Sequence, residues 1–233
     1  MISLGFDTMI IDNVHYSDSD LSALFDLLVP LDIKNFVFIH DFNFCVDNLS
    51  LTIDKFKSYS RHLSTISPRN THIKVSANLP LIDNAVENPD LKRLRVSNKY
   101  NPIFVSIPIF QDFSDNRFAT ELNKLLYRKN LFPIFTSYEH QIKSSDSEFI
   151  YKLLQVKNCG FAIDINFLFD AKNLEFFKFL LEHNIHILPS ISHSLGNYAG
   201  VLKSAEHLVS VIGKSEYYQL CSLINHTSRY IGF

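Results

Sequence analysis

Seven short apolar runs recur along the chain and predict buried β-strands. The runs are rich in β-branched and aromatic residues, and their continuous apolar character is typical of strands covered on both faces. Successive runs are separated by enough residues for a helix and two loops. The runs are Met9–Ile11, Phe36–Ile39, Ile73–Ala77, Ile103–Ile107, Phe132–Phe135, Phe161–Ile165 and Ile185–Leu188.

The segments between these runs show the spacing of amphipathic helices. In the first of them, Asp18 or Ser19 is the predicted N-cap. The apolar face of that helix consists of Leu21, Leu24, Phe25 and Leu28. Further helices are predicted from a stripe of Leu174, Phe177, Leu180 and Leu181 after Asp170, from residues 119–128, and from two segments between Gly200 and Tyr230 that break near Gly213.

The alternation of strands and helices predicts a parallel sheet with right-handed crossovers. We predict one α/β domain over residues 1–233, because no linker or composition shift divides the chain. An open doubly wound sheet is the alternative, but nucleotide-binding sheets of that kind begin with a Gly-rich turn. The turn after the first run, residues 12–17, has no Gly. A seven- or eight-stranded TIM-like β/α barrel is therefore the predicted fold, and the seven apolar runs correspond to seven strands.

Composition limits the classes of protein that remain. The net charge of −2, with 20% charged residues, argues against a protein that coats nucleic acid through its net charge. Three scattered cysteines, Cys45, Cys159 and Cys221, indicate reduced thiols in a cytoplasmic or nuclear protein. The first residues show no secretory signal, and no apolar run is long enough to span a membrane.

Polar residues follow the predicted strands, at the end where parallel barrels carry their active sites. The third and seventh runs are followed by Asn78 and Ser190. Five residues form a candidate metal site, and they are His15, His40, Asp41, Asp164 and His193. Imidazole and carboxylate together suit zinc, manganese or iron. The alternative is that these residues cap helices and close turns.

One dense basic cluster lies between the third and fourth runs. Lys92, Arg93, Arg95 and Lys99 belong to it. These side chains suit contacts with RNA phosphates. The alternative is that they form the solvated face of a helix, on which residues 92 and 95 would share a side.

Four segments resemble motifs of the polymerase and histidinol phosphatase (PHP) family, whose members have a distorted seven-stranded barrel with metal ligands at the strand ends. The segments are Asp12–His15, His40–Asp41, Ala162–Asn166 and Ser190–His193. Asn13 stands where the family has a His, and Ile191 stands where it has an Asp. The resemblance therefore implies a PHP-type barrel whose divalent metal site, for zinc or manganese, is eroded.

The barrel-shaped protein subunit of archaeal and eukaryotic ribonuclease P is a PHP-fold branch with similar erosion. The chain resembles it in order at residues 31–43, 72–83, 91–108 and 201–230. The resemblance implies a non-catalytic subunit that supports removal of the tRNA 5′ leader. It also implies binding to structured RNA, either a tRNA precursor or a catalytic RNA, and to other protein subunits, with Lys92–Lys99 as the RNA contact.

Two other functions stay open at this point. One is a metal-dependent phosphoesterase in which His15, Asp164 and His193 hold the metal and a bound hydroxide attacks the phosphate. The other is a catalytically inactive barrel that serves as a protein-interaction scaffold. Two or three phosphate contacts from the basic cluster give salt-sensitive RNA affinity. We therefore expect tight RNA association only with a partner protein that adds basic surface.

Overall fold

The computed structural model describes residues 4–11, 17–40, 49–80, 87, 89–106, 116–136, 147–191 and 200–233. Within these residues seven parallel strands close into one barrel in sequence order, so the prediction of a seven-stranded α/β barrel is confirmed. The strands are β1 (Thr8–Ile11), β2 (Asn35–His40), β3 (His72–Pro80), β4 (Pro102–Ser106), β5 (Phe132–Thr136), β6 (Gly160–Asp164) and β7 (His186–Ile191).

Both faces of the strands are buried, as their continuous apolar character indicates. Closure is made by β7 pairing with β1, where Ile10 lies opposite Ser190. Alternate residues point to opposite faces of a strand, so one set fills the barrel and the other meets the helices. The interior set comprises Ile10, Val37, Ile39, Phe104, Phe132, Ile134, Ala162 and Leu188. The outward set includes Met9, Phe36, Phe38, Ile103, Phe135, Phe161 and Ile187.

Two strand boundaries differ from the sequence prediction. β3 continues past Ala77 to Pro80, because buried polar residues such as Asn78 extend the strand beyond its apolar run. β6 ends at Asp164 rather than at Ile165, because the Asp164 side chain begins a short helix there. Ile107, the predicted last residue of the fourth strand, lies outside the described residues.

Helices surround the barrel over the described residues. They are α1 (Asp18–Leu28), α2 (Leu49–Ile66), α3 (Asn116–Asn123), α4 (Ser147–Leu154), α5 (Ile165–Leu168), α6 (Leu174–Glu182), α7 (Val201–Ile212) and α8 (Lys214–Ser228). A π-helical turn, Lys124–Arg128, continues α3. The predicted break between the last two helices is confirmed, since Gly213 joins them with a positive φ of 95°. None of the helices seen in the described part has the length and apolarity to cross a membrane.

The N-cap of α1 is Ser17, not the predicted Asp18 or Ser19. The Ser17 hydroxyl accepts a hydrogen bond from the Asp20 backbone N–H, and the Asp20 carboxylate accepts one from the Ser17 N–H. This capping box satisfies two helix-end donors at once, which a cap one residue later would not do. Hydrogen bonds from Ser17 lower the pKa of Asp20.

A repeated turn leads from helix to strand. Over the residues that are described, each connection into β2 through β7 contains one non-glycine residue with a positive φ, between 50° and 71°. Asn and Asp tolerate this left-handed region better than other side chains because they bond locally to the backbone. The six residues are Asp32, Asn70, Asn101, Asn130, Asn158 and Asn184.

Candidate functional site

The carboxyl end of the barrel carries a buried layer of polar side chains. Strand alternation places Asn78, Thr136, Asp164 and Ser190 on the interior face, and each is at most 7% exposed. The Thr136 hydroxyl donates to the Asn78 side-chain oxygen at 3.1 Å, joining β5 to β3 across the interior. The sequence placed Asn78, Asp164 and Ser190 at this end, and the structure confirms that placement.

Asp164 is the predicted metal ligand whose side chain is described, and it acts as a helix cap. Its carboxylate accepts a hydrogen bond from the Asn166 backbone N–H at 2.9 Å. That bond begins α5 directly after β6. The capping use of Asp164 therefore matches the alternative that the sequence left open.

The other four members of the candidate metal site are not tested. His15, Asp41 and His193 lie outside the described residues, and His40 is described only as the backbone end of β2. Among the residues that the structure describes, no group of three or more His, Cys, Asp or Glu side chains could hold a metal ion. The metal site stays a prediction.

Two members of the basic cluster, Arg95 and Lys99, lie at the opposite, amino end of the barrel, whereas Lys92 and Arg93 lie on the helix that leads to it. Lys92, Arg93, Arg95 and Lys99 are all exposed, while Leu91 and Leu94 are buried. The helix is a short 3₁₀ segment, Pro89–Leu94. The helix ends one residue before Arg95, so Arg95 and Lys99 lie beyond it, in the connection to β4.

A second basic segment, which the sequence analysis missed, adjoins this connection. Asn101 accepts a hydrogen bond from the Arg95 guanidinium at 3.1 Å and donates one to the Asn130 carbonyl at 3.2 Å. Asn130 directly follows Arg128 and Lys129. Asn101 therefore joins the turn that precedes β4 to the turn that precedes β5 and brings two basic segments together.

Positive charge predominates over the whole amino end of the barrel. We define this surface as residues 4–7, 32–34, 67–71, 95–101, 129–131, 155–159, 183–185 and 229–233. Its Lys and Arg residues are Lys34, Arg69, Arg95, Lys99, Lys129, Lys157 and Arg229, and its Asp and Glu residues are Asp7 and Asp32. Seven cations and two anions give this surface a charge of +5. Because the net charge of the whole chain is −2, the rest of the chain carries a charge of −7.

An aromatic stack rises from the barrel interior at the same end. The Tyr100 ring lies 4.3 Å from the Tyr230 ring, and their planes are 28° apart. Tyr230 lies 4.9 Å from Phe132, an interior residue, and 4.8 Å from His186. Tyr100 is the outer ring of the stack and is 42% exposed.

Lys74 ties the last residues of the chain into the amino end. Its ammonium donates to the carbonyl oxygens of Ile231 and Gly232, at 2.6 Å and 3.1 Å. It also lies 4.6 Å from the centre of the Phe233 ring. Partial burial lowers the pKa of Lys74. Lys74 therefore has a structural role, since it holds the last residues of the chain in place.

The described cysteines are not activated thiols. Cys159 and Cys221 are free and buried, as the prediction of reduced thiols requires. Burial raises the pKa of Cys159 to about 12 and that of Cys221 to about 11. A reactive cysteine needs a lowered pKa, so these two thiols are not candidates for catalysis.

No family model matches the sequence, and no curated protein is significantly similar to it. The class that the fold defines is an α/β protein with a closed, all-parallel, seven-stranded barrel, compatible with a TIM-like barrel.

Proposed function

We propose that this chain is a non-catalytic protein subunit of a ribonuclease P-like ribonucleoprotein. In this role it supports removal of the tRNA 5′ leader by binding structured RNA and partner proteins. The observation that carries the proposal is the +5 charge of the amino end, in a chain whose net charge is −2. The closed seven-stranded barrel, which the resemblance to the ribonuclease P subunit implies, also supports it.

The concentration of charge at one end favours a polyanionic partner. Phosphates attract clustered Lys and Arg, and each contact releases counterions. Charges farther apart than about 8 Å are largely screened at physiological salt, so adjacent cations matter more than the net charge. Arg95 and Lys99 are exposed on one connection, and hydrogen bonds through Asn101 link that connection to the turn that carries Lys129.

Partner proteins form part of the proposal because the cations are few. Three phosphate contacts give a slope of log affinity against log salt of only about −2 to −3. So few contacts give only modest affinity at physiological salt. A partner that extends the basic surface would supply the remaining contacts.

The test compares two triple variants with the same change of net charge. The first changes Arg95, Lys99 and Lys129 to Glu. The control changes three exposed residues of α2, Lys55, Lys57 and Arg61, to Glu. Affinity for a tRNA precursor is measured against salt concentration by filter binding, with and without candidate partner proteins.

We expect the amino-end variant to lose affinity and to show a salt slope shallower by about 2 to 3. The α2 variant should retain most of its affinity, apart from the long-range effect of the added charge. Equal losses in the two variants would mean that the amino end is not the contact. If the unaltered protein binds no structured RNA even at low salt, the ribonuclease P proposal fails and the scaffold alternative replaces it.

A further inference from the structure

We infer that Tyr100 is a stacking platform for an unpaired nucleotide at the amino end of the barrel. This inference rests on the proposed RNA-binding function and specifies which part of an RNA the surface takes. It assigns a single-stranded segment, whose bases are open to stacking, and not a duplex, whose bases are already stacked on one another.

The exposure of Tyr100 is the first observation. An aromatic side chain that is 42% exposed beside charged residues leaves ring surface available to a ligand. Its neighbour Lys99 holds its ammonium over the Tyr100 ring, 5.3 Å from the ring centre, in a cation–π contact. Lys99 is an exposed, flexible side chain that a stacking base would displace toward the phosphate. Single-stranded nucleic acids bind where aromatic rings take the bases and a positive groove follows the backbone. Tyr100 and Lys99 bring these two features together.

The support behind Tyr100 is the second observation. The Tyr230 ring covers one side of Tyr100, and Tyr230 itself contacts Phe132 inside the barrel. The next residue, Ile231, is fully buried in the interior cluster, and Lys74 holds its carbonyl oxygen. Tyr100 is therefore held in place before a ligand arrives. Binding to such a ring costs little side-chain entropy.

Cations close to Tyr100 in the fold supply contacts for the phosphates of the RNA. The hydrogen bond to Asn101 orients Arg95, and Lys129 precedes the Asn130 that Asn101 also contacts. Arg95 and Lys99 thus precede the ring in the chain, and Lys129 lies on the turn that Asn101 links to this connection. A nucleotide presents a flat base and a phosphate together, which an acidic peptide does not. The ring and the cations together therefore favour RNA over an acidic protein.

The experiment measures the affinity of a fluorescently labelled, mixed-sequence single-stranded RNA and of the blunt duplex of the same sequence. The variants are Tyr100→Ala, Tyr100→Phe and, as a matched control, Tyr218→Ala, which removes a tyrosine of α8 that is 68% exposed. Circular dichroism verifies that each variant is folded. Photocrosslinking of 4-thiouridine RNA to the unaltered protein, followed by mass spectrometry, locates the contact.

We expect Tyr100→Ala to bind the single strand about 5- to 100-fold more weakly, which is the loss typical of removing one stacked base. Tyr100→Phe keeps the ring and should retain the affinity, and Tyr218→Ala should have no effect. Duplex affinity should be the same in all four proteins. The crosslink should fall on the tryptic peptide that begins at Tyr100.

Three outcomes would overturn the inference. If the unaltered protein binds RNA but Tyr100→Ala binds the single strand equally well, the stacking platform is wrong and the proposed RNA function survives. If polyglutamate competes as well as RNA, and Tyr100→Ala leaves both affinities unchanged, the surface takes an acidic protein. If the unaltered protein binds neither RNA, the inference and the proposed function fail together.

Discussion

The two ends of the barrel use different chemistry. Over the described residues, the carboxyl end presents a buried, mostly uncharged layer, in which Asn78 and Thr136 bond to each other and Asp164 caps a helix. The amino end presents seven cations, two anions and a stack of aromatic rings. TIM-barrel enzymes place their chemistry at the carboxyl end, whereas the amino end contributes to stability. In the described part of this chain, the clustered cations and the aromatic stack instead lie at the amino end.

The sequence of the remaining segments sharpens this contrast. Residues 12–16, 41–48, 81–86, 107–115, 137–146 and 192–199 each follow a strand in the chain. Together they contain eight Asp or Glu residues and one Lys, whereas the turns that precede the strands are basic. Under the proposed RNA-binding function, this distribution favours the amino end as the contact, because RNA is a polyanion. A barrel fold alone therefore does not identify the functional end.

The largest expected effect is a loss of stability when a side chain inside the barrel, between its two ends, is truncated. Phe104 is fully buried inside the barrel. Phe104→Ala should lower the free energy of unfolding by about 3 to 5 kcal/mol, because it removes apolar burial and leaves a cavity. Urea denaturation measures the change. Tyr127→Ala, at a position that is 78% exposed, should change stability by less than about 0.5 kcal/mol. A small loss in Phe104→Ala would contradict the packed interior.

The polar layer at the carboxyl end should be the next most sensitive region. Thr136→Val keeps the shape of the side chain but removes the donor to the buried Asn78 oxygen. We expect a loss of about 1 to 3 kcal/mol in unfolding free energy, with RNA affinity at the amino end unchanged. Thr65→Val on the exposed face of α2 is the control. If Thr136→Val also weakened RNA binding, while Thr65→Val did not, the two ends of the barrel would be coupled.

The sequence predicted the barrel better than it predicted either end. Each of the seven apolar runs overlaps an observed strand, because strands that are buried on both faces are apolar at every position. The inward polar residues interrupt this signal, which is why β3 continues past its predicted end at Ala77.

The amino-end surface depends on distant parts of the chain. Tyr100 meets Tyr230, and Asn101 links to Asn130, only once the barrel has closed. Local patterns do not contain those contacts. A usable signal was nevertheless present: a basic residue directly precedes a left-handed Asn in Arg69–Asn70, Lys129–Asn130 and Lys157–Asn158.

The turns at the amino end give the third prediction. Asn158 has a φ of 66°, which disfavours a β-branched side chain. Asn158→Val should therefore destabilise the protein by about 1 to 2 kcal/mol. Asn158→Gly should cost less than half as much, because glycine adopts this conformation freely. Thermal unfolding of the two variants measures the difference, and equal costs would show that the left-handed turn is not the cause.

The fourth prediction separates capping from catalysis at Asp164. Asn is also a good N-cap, so Asp164→Asn should be nearly neutral, whereas Asp164→Ala should cost about 1 kcal/mol of stability. We also expect the unaltered protein to hydrolyse generic phosphomonoesters poorly or not at all, even with added manganese or zinc. Metal-dependent turnover that disappears in His193→Ala would instead establish the phosphoesterase alternative.

The smallest effect is a pH dependence at the amino end. Burial and the nearby His226 ring lower the pKa of His186, which also contacts Tyr230 and lies 3.5 Å from the Thr227 hydroxyl. Around the unfolded pKa of about 6.5, the unfolded chain then binds more protons than the folded chain. Stability should therefore decrease as the pH falls through and below that value. His186→Phe should flatten this decrease, while His207→Phe, at an exposed position on α7, should leave it unchanged. Urea denaturation at a series of pH values measures both slopes, and a slope unaltered by His186→Phe would place the titrating group elsewhere.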